Sequence, residues 1–168
     1  MAELTPSDRL QPCLLDRLTD DEPDKALESR NRRVFSLRQI REAVLRDLSW
    51  LLNTPARSAT EGFSLFPEVE KSVINYGIAD LAGLTGSGVN LSQLEIMVAR
   101  AIERFEPRVL SNTVRVRAVV SKEQTERNTL AFEISGDLWA EPVPDPLYLK
   151  TELDLETGQC TLRERVGG

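Results

Sequence analysis

The sequence predicts an α+β fold, with N-terminal helices packed on a small, mainly antiparallel sheet that ends in a C-terminal β-hairpin. Two segments, which begin at Ser36 and Asn90, repeat apolar residues every three or four positions, as one face of a helix does. From Val114 onward, apolar and polar residues alternate instead, as they do in half-buried strands. Residues 156–159 (Glu-Thr-Gly-Gln) have the composition of a hairpin turn between the last two strands.

The first long helix begins after Ser36, which forms a capping-box sequence with Gln39. Its apolar stripe contains Leu37, Ile40, Val44, Leu45, Leu48, Leu51 and Leu52. On the outer face, Glu42 and Arg46 are predicted to form an i,i+4 ion pair. Residues 53–55 (Asn-Thr-Pro) end the helix.

Three further features precede the sheet. Residues 67–76 are predicted to form a short helix that Gly77 caps, with Pro at its first turn. The glycine-rich residues 83–88 lack the following Lys-Ser/Thr and the preceding strand of a phosphate-binding loop, so they predict a plain loop. The second long helix begins after Asn90 and ends before Pro107, since a residue that precedes proline is pushed out of the helical region.

The alternating segments predict four strands, within residues 114–120, 130–134, 147–155 and 160–166. Between the second and third strands, residues 137–146 contain three prolines at alternate positions. This segment is therefore predicted to be an extended crossing without ladder hydrogen bonds.

The chain has 168 residues, of which 40% are hydrophobic and 29% charged, and its formal net charge is −6. It contains no histidine, which excludes Ser-His-Asp and Cys-His nucleophiles and any histidine general base. Two cysteines without histidine do not make a usual structural zinc site. An enzyme made from this chain would therefore need carboxylates, lysine, tyrosine or a bound cofactor. The acidic balance argues against nucleic acid as the main partner.

No apolar run approaches the roughly 18 residues of a membrane span, and the N-terminus lacks the pattern of a signal peptide. We expect a cytoplasmic protein without direct membrane insertion. Residues 1–33 are predicted to be an extension, and residues 34–168 the α+β domain. In the extension, Leu14, Leu15 and Leu18 have helical spacing. This cluster is either one docked turn of a solvated leader or a docking peptide for a partner.

Two features are candidate interaction sites. Glu106, Pro107 and Arg108 hold two opposite charges at the junction of the second long helix and the first strand. The charges are either solvated separately, paired with each other, or bound to neighbouring loops or another chain. The second feature is the last strand, a short and charged candidate edge strand: Cys160, Thr161, Leu162, Arg163, Glu164, Arg165 and Val166.

The sequence resembles the TssE family, the baseplate wedge subunits of type VI secretion systems, and their counterparts in contractile-tail phages. The resemblance rests on an ordered series of segments: residues 14–18 (LLDRL), 36–38 (SLR), 47–54 (DLSWLLNT), 72–77 (SVINYG), 80–81 (DL) and 105–110 (FEPRVL).

The resemblance implies a non-catalytic structural subunit, with no catalytic residues, no metal and no cofactor. It implies further that the subunit sits in the baseplate with TssF, TssG and TssK, at the cytoplasmic face of the inner membrane. It also implies contact with the first layer of the TssB/TssC contractile sheath, whose polymerisation it would help to nucleate, and a possible contact with the central spike hub. The predicted edge strand would accept a strand from the sheath. Alanine at Glu106 or Arg108 is expected to leave the protein folded but to impair assembly.

Two alternatives remain. A peptidoglycan-cleaving muramidase would use carboxylates such as Glu106, but it needs one acid kept protonated in an apolar site. If Glu106 pairs with Arg108, the guanidinium favours the ionised carboxylate instead. A free-standing adaptor unrelated to secretion would require only an α+β domain.

Overall fold

The computed structural model describes residues 12–19, 24, 35–57, 65–83, 90–119, 128–140 and 143–164. The described helices are α1 (Leu14–Leu18), α2 (Leu37–Leu52), α3 (Pro67–Glu70) and α4 (Leu91–Phe105), with 3₁₀ turns at Val73–Asn75 and Ser111–Thr113. The described strands are β1 (Arg115–Val119), β2 (Thr129–Leu138), β3 (Asp145–Asp154) and β4 (Cys160–Glu164). Helices therefore precede a sheet, and the predicted α+β class is confirmed.

The four strands form one antiparallel sheet in the order β1-β2-β3-β4, so β1 and β4 are its edges in the described part of the chain. The two central strands are longer than predicted. Leu138 pairs with Asp145, and Asp137 pairs with Pro146, so the predicted unpaired crossing was wrong at both of its ends. Proline has no N–H, and a strand residue donates that group to one neighbouring strand only. Pro146 is tolerated because the described part of β4 pairs with β3 only as far as Leu149, so no described residue of β4 lies opposite Pro146.

Helices α2 and α4 pack on one face of the sheet, and their predicted caps are confirmed. The Ser36 hydroxyl accepts from the Gln39 N–H at 3.3 Å, and the Asn90 side chain accepts from the Gln93 N–H at 3.1 Å. The core between helices and sheet includes Val44, Leu48, Leu52, Val98, Ile102, Phe132, Leu147, Leu149 and Leu153. Most of the predicted apolar stripes are therefore buried against the sheet.

The predicted helix at residues 67–76 was only partly right, because it is broken into α3 and the 3₁₀ turn that follows. The break lies at Ser72, whose hydroxyl donates to the Val69 carbonyl at 2.8 Å and accepts from the Ile74 N–H at 3.3 Å. Such local bonds compete with the helical ladder. Val73 and Ile74 are consequently 79% and 58% exposed, whereas the polar Asn75 is buried.

The predicted Glu42–Arg46 pair was also wrong. Glu42 accepts from Arg38 at 2.8 Å, one turn earlier on α2. Arg46 binds two other carboxylates instead, those of Asp16 and Asp47. Both alternative ion pairs are within reach. Residues four apart are neighbours on a helix, and the long arginine side chain can contact several carboxylates.

Candidate functional site

The segment between α4 and β1, which we call the corner, is joined to the end of β2 by backbone hydrogen bonds. The Arg108 carbonyl accepts from the Trp139 N–H at 2.7 Å, and the Leu110 N–H donates to the Asp137 carbonyl at 2.8 Å. Glu106 itself caps α4, since its N–H donates to the Ile102 carbonyl at 2.9 Å. The corner backbone is thus held from both sides.

Within the corner, the side chains of Glu106 and Arg108 pair with each other. The Glu106 carboxylate accepts from Arg108 Nε at 2.7 Å and from Nη2 at 2.5 Å. It also accepts from the Arg108 backbone N–H at 3.1 Å. The Glu106 side chain is only 4% exposed, so the two charges are not solvated separately. The pair is bidentate, with a buried carboxylate and a guanidinium that is 23% exposed. Removing Arg108 would leave the buried carboxylate without its counter-ion.

The pair belongs to a longer chain of alternating charges, the ion-pair network, which joins the corner to α2. Arg108 Nη2 also donates to the Asp47 carboxylate at 2.5 Å, and Arg46 binds Asp47 at 2.8 Å. Burial disfavours the charged form of Arg108, but the carboxylates of Glu106 and Asp47 outweigh it and raise the pKa of this guanidinium above its usual value. Arg108 therefore stays charged at any physiological pH.

The same network reaches α1. Arg46 Nη1 binds Asp16 at 2.7 Å, and the Asp16 side chain is 5% exposed. Burial raises the pKa of Asp16, but hydrogen bonds from Cys13 and the charge of Arg46 outweigh it, so the net shift lowers the pKa. α1 is thus attached to the domain through its polar side.

The apolar side chains of α1 face outward. Leu14 and Leu18 are 70% and 73% exposed, and Leu15 is 42% exposed. They are the three leucines that the sequence singled out as a docked turn or a docking peptide. The structure holds this turn against α2 through the ion pair of Asp16 with Arg46. The exposed leucines leave an unpartnered apolar face on it among the described residues.

Leu15 of α1 and the corner line one groove of about 430 Å³. Its lining consists of Cys13, Leu15, Asp47, Trp50, Tyr76, Phe105, Glu106, Pro107 and Arg108. Arg46 lies 5.2 Å from the ring centre of the half-exposed Trp50, and Tyr76 meets Phe105 edge to face at 5.3 Å. Sequence reasoning missed Asp47 and Trp50 as members of this groove, although both lie in the resembling segment 47–54.

The third candidate feature, β4, lies at an edge of the sheet that the described strands form. Cys160 is buried, Thr161 and Arg163 are exposed, and Leu162 and Glu164 are half-buried. The predicted members Arg165 and Val166 lie outside the described residues.

Helix α2 holds β4 at both of its described ends. The Asn53 carboxamide donates to the Cys160 carbonyl and accepts from the Cys160 N–H, both at 2.8 Å. At the other end, Arg41 binds Glu164 with its Nε at 2.8 Å and also binds Asp145. The strand is therefore fixed on the helix before any partner binds.

The burial of Cys160 has a chemical consequence. Burial raises the pKa of this thiol to about 12. At pH 8 about 10⁻⁴ of it is thiolate, the reactive form. We expect iodoacetamide to modify the partly exposed Cys13 in the native protein and to reach Cys160 only after unfolding in guanidinium, as read by mass spectrometry. Equal modification of both thiols in the native protein would contradict this burial.

Other kinds of site have little support in the described residues. No group of three or more acidic or cysteine side chains among them could hold a metal ion. No described helix is long and apolar enough to cross a membrane.

Comparison with known families identifies a match. The family described as baseplate wedge protein gp25 matches residues 38–143, well over half of the chain. The matched segment runs from the first turn of α2 to just beyond β2 and contains the corner, whereas α1, β3 and β4 lie outside it. No curated protein and no solved structure matches the chain.

Proposed function

The chain belongs to the gp25 baseplate wedge family, which is the family of TssE, and from this premise we propose that it is the wedge subunit of a type VI secretion system. Family membership gives it a structural role in a baseplate, in contact with other baseplate components. The proposal adds that it joins TssF, TssG and TssK to the first layer of the TssB/TssC sheath and helps to nucleate sheath polymerisation at the cytoplasmic face of the inner membrane.

The observation that carries the sheath contact is the edge position of β4. An edge strand presents unpaired N–H and C=O groups that another chain can extend by adding a strand. β4 is short, and after its buried first residue the side chains alternate between exposed and half-buried. Arg41 of α2 and Asn53, which caps this helix, hold the strand in place. A prearranged edge suits the first step of polymerisation, because no ordering of the acceptor strand is then required.

The proposed baseplate contact uses the groove at the corner. Leu15 of α1 and the half-exposed Trp50 line this groove beside the charged corner. Leu14 and Leu18 add exposed apolar area on the same helix. Aromatic and arginine side chains around a central apolar patch are typical of protein interfaces. In this proposal, residues 1–33 are a docking extension and residues 34–168 the wedge domain.

The geometry of Glu106 supports a non-catalytic role over a muramidase. A general acid for glycoside hydrolysis must be kept protonated and must reach the substrate. Glu106 is buried, and the Arg108 guanidinium occupies both of its carboxylate oxygens.

The test is co-expression of the chain with TssF and TssG from the same genome. We expect a stable complex, and we expect Leu14→Ser with Leu18→Ser to weaken it at least tenfold. Burying a leucine is worth about 1.5–3 kcal/mol, and about 1.4 kcal/mol is a factor of ten in affinity. Both leucines are exposed in the free chain, so the variant should fold normally.

The matched control is Val143→Ser, which removes a side chain that is 69% exposed and lies between β2 and β3. This control should bind like the wild type. Repeated failure of the wild-type chain to form a complex would refute the proposed function. A complex that tolerates the leucine substitutions would refute the assignment of α1.

A further inference from the structure

The two edges of the sheet are not equivalent. At β1, the Ala118 N–H donates to the Glu95 carboxylate of α4 at 2.7 Å. A backbone amide that would otherwise be available to an added strand is thus occupied by the protein's own side chain. Inward-placed charges at a sheet edge are a known protection against unwanted pairing. The β1 edge is therefore closed at this position.

At β4, the side-chain contact to outward backbone groups that the described residues make lies at Cys160, the first residue of the strand. The Asp154 N–H donates to the Gln159 carbonyl at 2.9 Å. In an antiparallel ladder, hydrogen-bonded pairs alternate with pairs that are not hydrogen-bonded. The next pair, Leu153 and Cys160, therefore directs its backbone groups away from each other. The outward groups of Cys160 are the ones that bind the Asn53 carboxamide. Asn53 therefore imitates one residue of a neighbouring strand.

The next outward positions follow from the same alternation. Backbone groups point to the same side at every second residue, so Leu162 and Glu164 share the outward orientation of Cys160. In the described part of the chain, no further strand lies beyond β4. An incoming strand can thus pair at Leu162 and Glu164, but at Cys160 it meets Asn53.

Charge adds a second constraint on the exposed face of the sheet. Lys150 of β3 lies directly opposite Arg163 of β4, which places two like charges side by side. On β2, the strand on the other side of β3, the Glu133 carboxylate lies 4.0 Å from the Lys150 ammonium. Arg163 forms no ion pair with the described residues, and it stands at the margin where a further strand would lie.

We propose that β4 accepts an extended strand from another chain in one fixed register. Main-chain pairs form at Leu162 and Glu164, Asn53 stops the strand at Cys160, and an acidic residue of the incoming strand lies opposite Arg163. Since side chains alternate between faces, the residue opposite Leu162 is apolar. The identity of the donor as the sheath rests on the proposed function, whereas the register and the acidic–apolar pattern rest on this edge alone.

The test uses the full-length chain labelled with ¹⁵N and a capped seven-residue peptide of alternating valine and aspartate. We expect this peptide to shift the amide signals of Leu162 and Glu164 and to leave those of Val116 and Ala118 unchanged. A matched peptide with lysine in place of aspartate should bind at least fivefold more weakly. Arg163→Gln, at an exposed position, should remove that preference.

The register is tested with Asn53→Ala. Freed from the carboxamide, the Cys160 amide should join the set of signals that the valine–aspartate peptide shifts, and a thermal melt shows whether the variant is folded. Absent shifts, shifts at β1, or equal binding of both peptides would overturn the inference.

A pull-down with TssB and TssC separates the inference from the proposed function. If the peptide binds as expected and the sheath proteins do not, the sheath assignment fails while the register stands. If the sheath proteins bind and Arg163→Gln leaves both that binding and the peptide preference unchanged, the inference fails while the proposed function stands.

Discussion

Arg108→Ala is expected to lower the free energy of unfolding by about 3–5 kcal/mol, the usual cost of removing one partner of a buried ion pair. The substitution leaves the Glu106 carboxylate, which is 4% exposed, without the guanidinium that donates to both of its oxygens. Asp47 loses less, because Arg46 still binds it at 2.8 Å. Urea unfolding followed by circular dichroism measures the loss. The slope of the unfolding free energy against urea concentration should be unchanged.

Two controls show whether burial of the pair is the cause. Arg38→Ala breaks an ion pair whose side chains are 87% and 59% exposed, and it should cause no measurable change. Glu106→Leu combined with Arg108→Met removes both charges while nearly preserving volume, and such exchanges are often neutral or stabilising. If Arg108→Ala proved as harmless as Arg38→Ala, the pair could not be buried as described.

The double substitution also separates stability from assembly. The sequence led us to expect that alanine at Glu106 or Arg108 leaves the protein folded but impairs assembly. Because the pair is buried, either alanine alone lowers stability, and poor assembly would then have two causes. A double variant of normal stability that still fails to join the baseplate proteins would support a direct role of the corner at the interface.

The long helices and the strands were predictable because their signals are local. The Ser36 and Asn90 caps, the apolar stripes and the alternation after Val114 each act within a few residues, and the structure contains all of them. The predictions were wrong where a second interaction of similar strength was available to the same residue. Ser72 replaced helical hydrogen bonds with its own, and Arg46 had two carboxylates within reach other than Glu42.

The site could be predicted only in part, because its members are distant in sequence. The corner was visible as two charges around a proline, but the Asp47 that completes its network lies 61 residues from Arg108. Asn53 was visible only as the end of a helix. Its bonds to Cys160 span 107 residues, and no periodicity or spacing reports such a contact.

Gly77→Ala is expected to destabilise the protein by about 3 kcal/mol or more, since a strained backbone costs about 1–3 kcal/mol and a severe contact adds to it. Gly77 has φ of +126°, which side-chain-bearing residues rarely adopt, and an added Cβ would lie 2.1 Å from the Thr54 carbonyl oxygen. That oxygen also accepts from the Ile78 N–H at 3.0 Å. The new methyl group therefore displaces the backbone immediately after Asn53, the residue that holds Cys160.

Gly83→Ala is the matched control, because Gly83 also has a positive φ, +77°, but an added Cβ would meet nothing within 4 Å. It should cost only the left-handed backbone energy, about 1–2 kcal/mol. For a chain of this size about 1 kcal/mol shifts the melting temperature by roughly 2–4 °C, so thermal melts distinguish the two variants. Amide exchange at Cys160 should accelerate in Gly77→Ala beyond what its lower global stability explains, because the Asn53 carboxamide moves with Thr54. Equal losses in both variants would show that the close approach of Gly77 to Thr54 does not hold the start of β4 in place.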